Sequence, residues 1–177
     1  MNITKNIQKI AQKVLLNEAR AIENLVNFLN EDFEAAVREI YSAKGRVVVT
    51  GVGKSAIIAN KIVATLNSTG TPSLFMHAAD AIHGDLGMIL EDDIVICISK
   101  SGNTPEIKVL VPLLKRRGSK LVALVSQPDS YLAQQADYVL NAWIEEEACP
   151  NNLAPTTSTT AHLAMGDALA VCLLELR

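Results

Sequence analysis

The chain has 177 residues, with 16 Lys+Arg against 19 Asp+Glu, a net charge of −3, 49% hydrophobic residues and only 4% aromatic ones. That length fits one domain with a sizeable core, and an aliphatic, aromatic-poor core suits a parallel sheet covered by helices on both faces. The mixed charge argues against a dedicated nucleic-acid binder, the apolar runs fall far short of the ~20 residues of a membrane span, and the first residues lack the pattern of a secretory leader, so a cytoplasmic location is expected.

In chain order, Ile3, Ile7, Ile10, Val14, Ala21, Ile22, Leu25 and Leu29 recur at helical steps and predict a long N-terminal helix. Its apolar stripe is expected both to cover the sheet and to pair with a second subunit. A second helix is predicted over Asp32–Lys44, stopped by Gly45. Strands are then predicted at Arg46–Thr50, Ser73–Met76, Asp93–Ile98, Lys120–Val125 and Tyr138–Leu140. Helices are predicted at Lys54–Ser68, Glu106–Arg117, Ser130–Ala136 and Thr156–Leu176. Alternating strands and helices imply βαβ units, a parallel sheet and a ligand site along the edge where the strands end. No repeat or linker interrupts the chain. The expected organisation is a single domain over 1–177, with N-terminal helices at 1–44 and an αβα core at 45–177.

Three loops are placed to carry chemistry. Val47-Val-Val-Thr-Gly-Val-Gly-Lys-Ser55 resembles a nucleotide-binding P-loop, but Val48 stands where that motif needs glycine. It reads instead as an anion site or a plain tight turn, with Gly51, Gly53 and Ser55 at a helix start and Lys54 adding a charge. Ser99-Lys-Ser-Gly-Asn-Thr104 follows a buried strand and leads into Pro105 and Glu106 at a helix N-terminus. Ser99, Ser101 and Thr104 beside Gly102 exceed what one helix cap needs and predict a phosphate cradle built without a cation. Thr156–Thr160 opens the last helix, either as an anion site or as a cap for the chain itself. Of the histidines, His77 and His83 lie in loops and are functional or structural candidates, whereas His162 within the last helix reads as structural. Glu106 and the Glu145–Glu147 run supply candidate carboxylates. Cys97, Cys149 and Cys172 lack metal-site spacing, and Cys97 and Cys172 are expected to be buried.

Taken together, Gly51-Val-Gly-Lys-Ser55, Ser68-Thr-Gly-Thr-Pro72, His77, His83-Gly-Asp-Leu-Gly-Met88, Ser99–Thr104, Glu147-Ala-Cys-Pro150, Leu153–Ala161 and Met165–Ala170 resemble the sugar isomerase (SIS) domain of the D-arabinose 5-phosphate isomerases. Glu18-Ala-Arg-Ala-Ile22 fits the same family, and the resemblance spans essentially the whole chain. It implies a flavodoxin-like three-layer α/β fold with a five-stranded parallel sheet, a homotetramer, and interconversion of D-arabinose 5-phosphate and D-ribulose 5-phosphate for Kdo and lipopolysaccharide synthesis. It further implies Lys54, Glu106 and Glu147 as catalytic residues, with His83, Gly70 and Thr71 as substrate contacts. His77 corresponds to a position that takes an inhibitory zinc ion, and no cofactor is required. Two departures stand out. Lys100 occupies a position where a neutral amide is expected, and would either strengthen phosphate binding or point to solvent. The family's downstream His-Pro-Gly-Gly segment and paired CBS modules do not follow Arg177, as in a truncated or naturally short form. The alternatives are a non-catalytic phosphosugar-binding module and an isomerase for another phosphosugar.

Overall fold

A computed structural model describes residues 3–177, with side chains from residue 6 onward. Five parallel strands form its centre: β1 (Val47–Gly51), β2 (Ser73–His77), β3 (Ile94–Ser99), β4 (Lys120–Val125) and β5 (Tyr138–Asn141). Their order is β2-β1-β3-β4-β5, which makes the space between β1 and β3 the topological switch point. β1 and β3 are buried along their whole length, which is why both read as unbroken apolar runs.

Alternate residues of each strand feed two cores. Val47, Val49, Ile94, Ile96, Ile98, Val122 and Leu124 face α1 (Ile3–Leu25), α2 (Glu31–Ser42), α3 (Lys54–Ser68) and α7 (Thr157–Glu175). Val48, Val95, Cys97, Leu121, Ala123 and Val125 face α4 (Ala78–Ala81), α5 (Pro105–Arg116) and α6 (Tyr131–Gln135). The three-layer α/β architecture is therefore as expected, and the predicted elements lie within one or two residues of those observed, except that the N-terminal helix, read through Leu29, ends at Leu25. Only α4 and two short 3-10 turns, Val26–Phe28 and Asp85–Met88, go beyond the sequence reading.

Three local readings are corrected. α2 stops at Ser42 with an extended Ala43, so Gly45 is not its terminator. Gly45 instead packs so closely against the backbone of Asp92 and Asp93 that a Cβ would collide with it. Arg46 and Asp93, read as first strand residues, lie just before β1 and β3 and form an ion pair of 2.7 Å that clamps the strand starts together. Cys172 is half-buried, unlike the fully buried Cys97. It lines an apolar groove of about 430 Å³ between α2 and the last turns of α7.

α1 divides along its length. Leu25 is buried and Ala21 packs on the α7 side of the core, whereas Ile7, Ile10, Leu15 and Leu16 are each more than half exposed. Among the described residues, no helix is long and apolar enough to cross a membrane.

Candidate active site

The right-handed βα units bring the loops after β1, β3 and β5 to one edge of the sheet, where α3, α5 and α7 begin. Backbone N–H groups in the first turn of each helix lack helical partners, so this edge is intrinsically attractive to anions. Gly53 precedes α3 with φ 58° and ψ −125°, a conformation that suits glycine and lets the backbone turn sharply from β1. Gly102 has φ +60°, and a Cβ there would run into the Ser130 side chain.

Between these turns lies a cleft of about 240 Å³ lined by Val52, Ser55, Ile98, Ser99, Lys100, Ser101, Thr104 and Ile107. The loop that forms it is internally braced. Ser99 Oγ lies 3.1 Å from Thr104 Oγ1 and accepts a hydrogen bond from the Gly102 N–H, while Ser101 Oγ accepts from the Asn103 N–H. Ser99, Ser101 and Thr104 are thus brought together as the sequence suggested, but their oxygens also hold the loop's shape. Thr104 immediately precedes α5 without a side-chain capping bond, leaving its hydroxyl to the cleft and to Ser99.

Lys54 is the first residue of α3 and is exposed. Glu106 is the second residue of α5 and half-buried, and it has no side-chain partner among the described residues. These two residues head helices on opposite faces of the sheet, flanking the switch point.

Glu147 is entirely different. It is 2% exposed and lies against the start of α7, where its carboxylate accepts from Ser158 Oγ at 2.5 Å, the Thr156 N–H at 2.9 Å, the Ser158 N–H at 3.1 Å and Thr156 Oγ1 at 3.2 Å. Lys100 completes the shell at 2.7 Å. Burial pushes the carboxyl pKa up, but the Lys100 ammonium, the Ser158 hydroxyl and the two backbone N–H groups prevail and bring it down to about 2. The hydroxyl cluster at the head of α7 therefore takes an anion supplied by the chain itself. Lys100 neither floats in solvent nor stands alone; its partner is this buried carboxylate.

The histidines separate. His83 is exposed, two residues beyond α4. His77 ends β2 at the site edge, with its Nδ1 3.9 Å from Asp80. Two such side chains fall short of a zinc ligand set, and no three His, Cys, Asp or Glu side chains converge among the described residues. His162 is buried, its Nε2 3.2 Å from Ser126 Oγ and its Nδ1 without a partner. Burial lowers its pKa to about 4, with Glu147 opposing and Lys100 reinforcing that shift.

Gly70 and Thr71 are not brought to this cleft. They connect the end of α3 to the start of β2, at the opposite edge of the sheet, and Thr71 is buried with its hydroxyl accepting from Arg177 at 2.9 Å. Within one chain a strand's length, roughly 15 Å, separates them from the hydroxyl loop. The Lys100–Glu147 pair and the Ser158 contact escaped sequence reasoning. The charge of Lys100 in an otherwise neutral loop and the hydroxyl run before α7 were the available signals.

Residues 39–172 match the family described as the SIS domain. The chain belongs to the SIS-domain family. It is 49% identical, over an alignment of 179 positions that takes in the whole chain, to the arabinose 5-phosphate isomerase KdsD of Pseudomonas aeruginosa, and covers 55% of that protein. Against KdsD of Escherichia coli K12 it is 46% identical over 172 residues, 97% of its own length and 52% of the relative. The chain thus spans about half the length of the curated relatives it matches. Among solved structures it resembles E. coli CFT073 c3406 in complex with arabinose 5-phosphate, with a TM-score of 0.94, 43% identity and coverage of 99% of this chain and 93% of that one.

Proposed function

We propose that this SIS domain interconverts D-arabinose 5-phosphate and D-ribulose 5-phosphate by proton transfer through an enediolate. The observation that carries the reading is a hydroxyl-lined cleft of phosphate size two residues before a carboxylate, Glu106, that has no side-chain partner among the described residues. The names of the relatives and the arabinose 5-phosphate complex of c3406 support the choice of phosphosugar.

The phosphate occupies the cleft formed by Ser55, Ser99, Ser101 and Thr104 and the open N–H groups of α3 and α5, and Gly53 and Gly102 allow the backbone to come close. Held there, it is the remote handle that fixes the reacting carbons. In the aldose-to-ketose direction Glu106 removes the proton from C2 and the C1 carbonyl oxygen takes up the negative charge; the O2–H proton then passes to O1, and Glu106 returns its proton to C1 as the C2 oxygen becomes the new carbonyl. Lys54 stabilises the enediolate oxygen and His83 hydrogen-bonds the sugar. Glu147 is unsuited to be the base, because its carboxylate already accepts from four groups besides Lys100 and titrates far below neutrality. It acts electrostatically, fixing the head of α7. No electrons leave the substrate, so the reaction itself calls for no cofactor.

We further propose that the protein works in the cytoplasm as a homotetramer and supplies Kdo and lipopolysaccharide synthesis. The exposed apolar half of α1 supports self-association. Gly70 and Thr71, at the opposite edge of the sheet, reach a sugar only across such an interface.

Incubation with D-arabinose 5-phosphate in D2O tests the chemistry. Ribulose 5-phosphate should appear with deuterium incorporated at carbon. Phosphosugar binding without turnover or exchange would overturn it in favour of a non-catalytic phosphosugar-binding module, a reading to which the fully engaged Glu147 lends support.

A further inference from the structure

The phosphate cleft contains a charge that its hydroxyl chemistry did not call for. Lys100 lies between Ser99 and Ser101, and of the residues lining the cleft it alone is cationic; Lys54 is not among them. The other donors are neutral and partly committed, since Ser99 Oγ already accepts from Gly102 and shares a hydrogen bond with Thr104. A phosphosugar brings close to two negative charges, and charge-assisted hydrogen bonds are about twice as strong as neutral ones.

The Lys100 ammonium is also held in place. Its backbone carbonyl accepts from the Ser126 N–H at 3.1 Å, and its Nζ donates to Glu147 Oε1 at 2.7 Å. Glu147 is immobilised in turn by Thr156 and Ser158, with its side chain wholly buried, whereas the Lys100 side chain is 40% exposed. An ammonium has three N–H donors. One is spent on Glu147, and the exposed side of the group leaves the others for a ligand.

We propose that Lys100 is a phosphate-binding residue of this site, its ammonium bridging the buried Glu147 carboxylate and the phosphate of the ligand. Glu147 is then a positioning residue for that cation, and the two lysines divide the work: Lys100 serves the phosphate, Lys54 the carbonyl end of the sugar. The inference rests on the reading of the hydroxyl cleft as a phosphate site, but not on turnover.

The test is calorimetric titration of the full chain with inorganic phosphate, comparing the parent with K100Q, K100R and K100Q/E147Q. The double variant leaves no lone buried charge, so it reports on binding even if K100Q alone does not fold. K100Q and the double variant should bind phosphate about ten-fold more weakly, as expected for loss of a charged hydrogen bond, with K100R close to the parent. The dependence of log K on log salt should flatten in both variants that lack the charge. In turnover, K100Q should raise KM by a similar factor with kcat changed less than about three-fold, a split that a purely structural role would not produce. A K100Q/E147Q protein that binds phosphate as tightly as the parent would overturn the proposal, leaving Lys100 as no more than a counter-ion for Glu147. Phosphate binding with the expected loss in the variants, but without isomerisation in the parent, would uphold it and overturn only the isomerase reading. A parent that binds no phosphate would overturn both.

Discussion

Two buried titratable groups near the head of α7, Glu147 and His162, make stability fall with acid in separate windows. Glu147 is ionised in the folded chain down to about pH 2 against an ordinary value of 4.5. Its contribution is full above pH 4.5 and is lost as pH falls toward 2, because there the unfolded chain binds a proton that the folded chain refuses. His162 is held neutral down to about pH 4 against an ordinary 6.5, so between those values the unfolded chain again binds the extra proton and stability declines as pH drops. Each group is worth about 3 kcal/mol over its window. Denaturant midpoints measured from pH 7 to 2.5 should therefore fall in two stages. H162Q should flatten the upper stage and E147Q the lower. At Glu106 the expectation concerns rate: E106Q should reduce turnover by about 10²–10⁴-fold while leaving phosphosugar affinity within a few-fold, as steady-state kinetics and calorimetry would register. The cysteines differ in reactivity. Burial pushes the Cys97 thiol up to about 12, whereas backbone N–H groups at Ala154, Leu153 and Asn151 lower that of Cys149. Native alkylation followed by peptide mass spectrometry should mark Cys149 first and spare Cys97 until the chain unfolds.

Among the elements, α3 and α7 approach closely where Gly166 lies against the Ile62 side chain with no room for a Cβ. G166A should lower stability by about 1–3 kcal/mol, read as a shift in the thermal midpoint, with phosphate affinity unchanged once folded. Elements of this kind were legible in the sequence for a physical reason. β1 and β3 are buried on both faces, so Val47–Val49 and Ile94–Ile98 show as continuous apolar runs, and α3 and α5 begin where glycine or proline marks the turn. α4 was not legible because four residues, Ala78–Ala81, are too few to display a helical period. Gly45 misleads because a glycine demanded by the close approach of a distant segment looks the same as one that ends a helix. The site was legible to the extent that it is local. Ser99–Thr104 and Glu106 sit in one stretch of chain, whereas the engagement of Lys100 by Glu147 depends on where β5 leaves the chain relative to β3, which no short motif encodes.

At the scale of the whole molecule, α1 is the feature that the single chain does not satisfy. Its last two turns pack on α7, but Ile7, Ile10, Leu15 and Leu16 face solvent, and a helix of this kind gains most of its stability from packing rather than propensity. Substituting I7D and I10D together should shift the protein to a smaller species in sedimentation velocity without altering the thermal unfolding of the αβα layers by more than a few degrees. An unchanged sedimentation coefficient would show that these residues do not mediate assembly.

The glutamate folded into the head of α7 has one further consequence. Each of the five strands leads to a helix that begins along the ligand edge, and three of these helices, α3, α5 and α7, are long enough to attract an anion at their N-termini. By plugging the socket of α7 with a residue of its own, the chain leaves those of α3 and α5, beside the switch point, to an incoming anion. For the phosphosugar proposed above, selectivity for the pose would then come as much from the socket that is sealed as from the two that are open. Unplugging it, as in E147A, would turn a single berth into two competing ones.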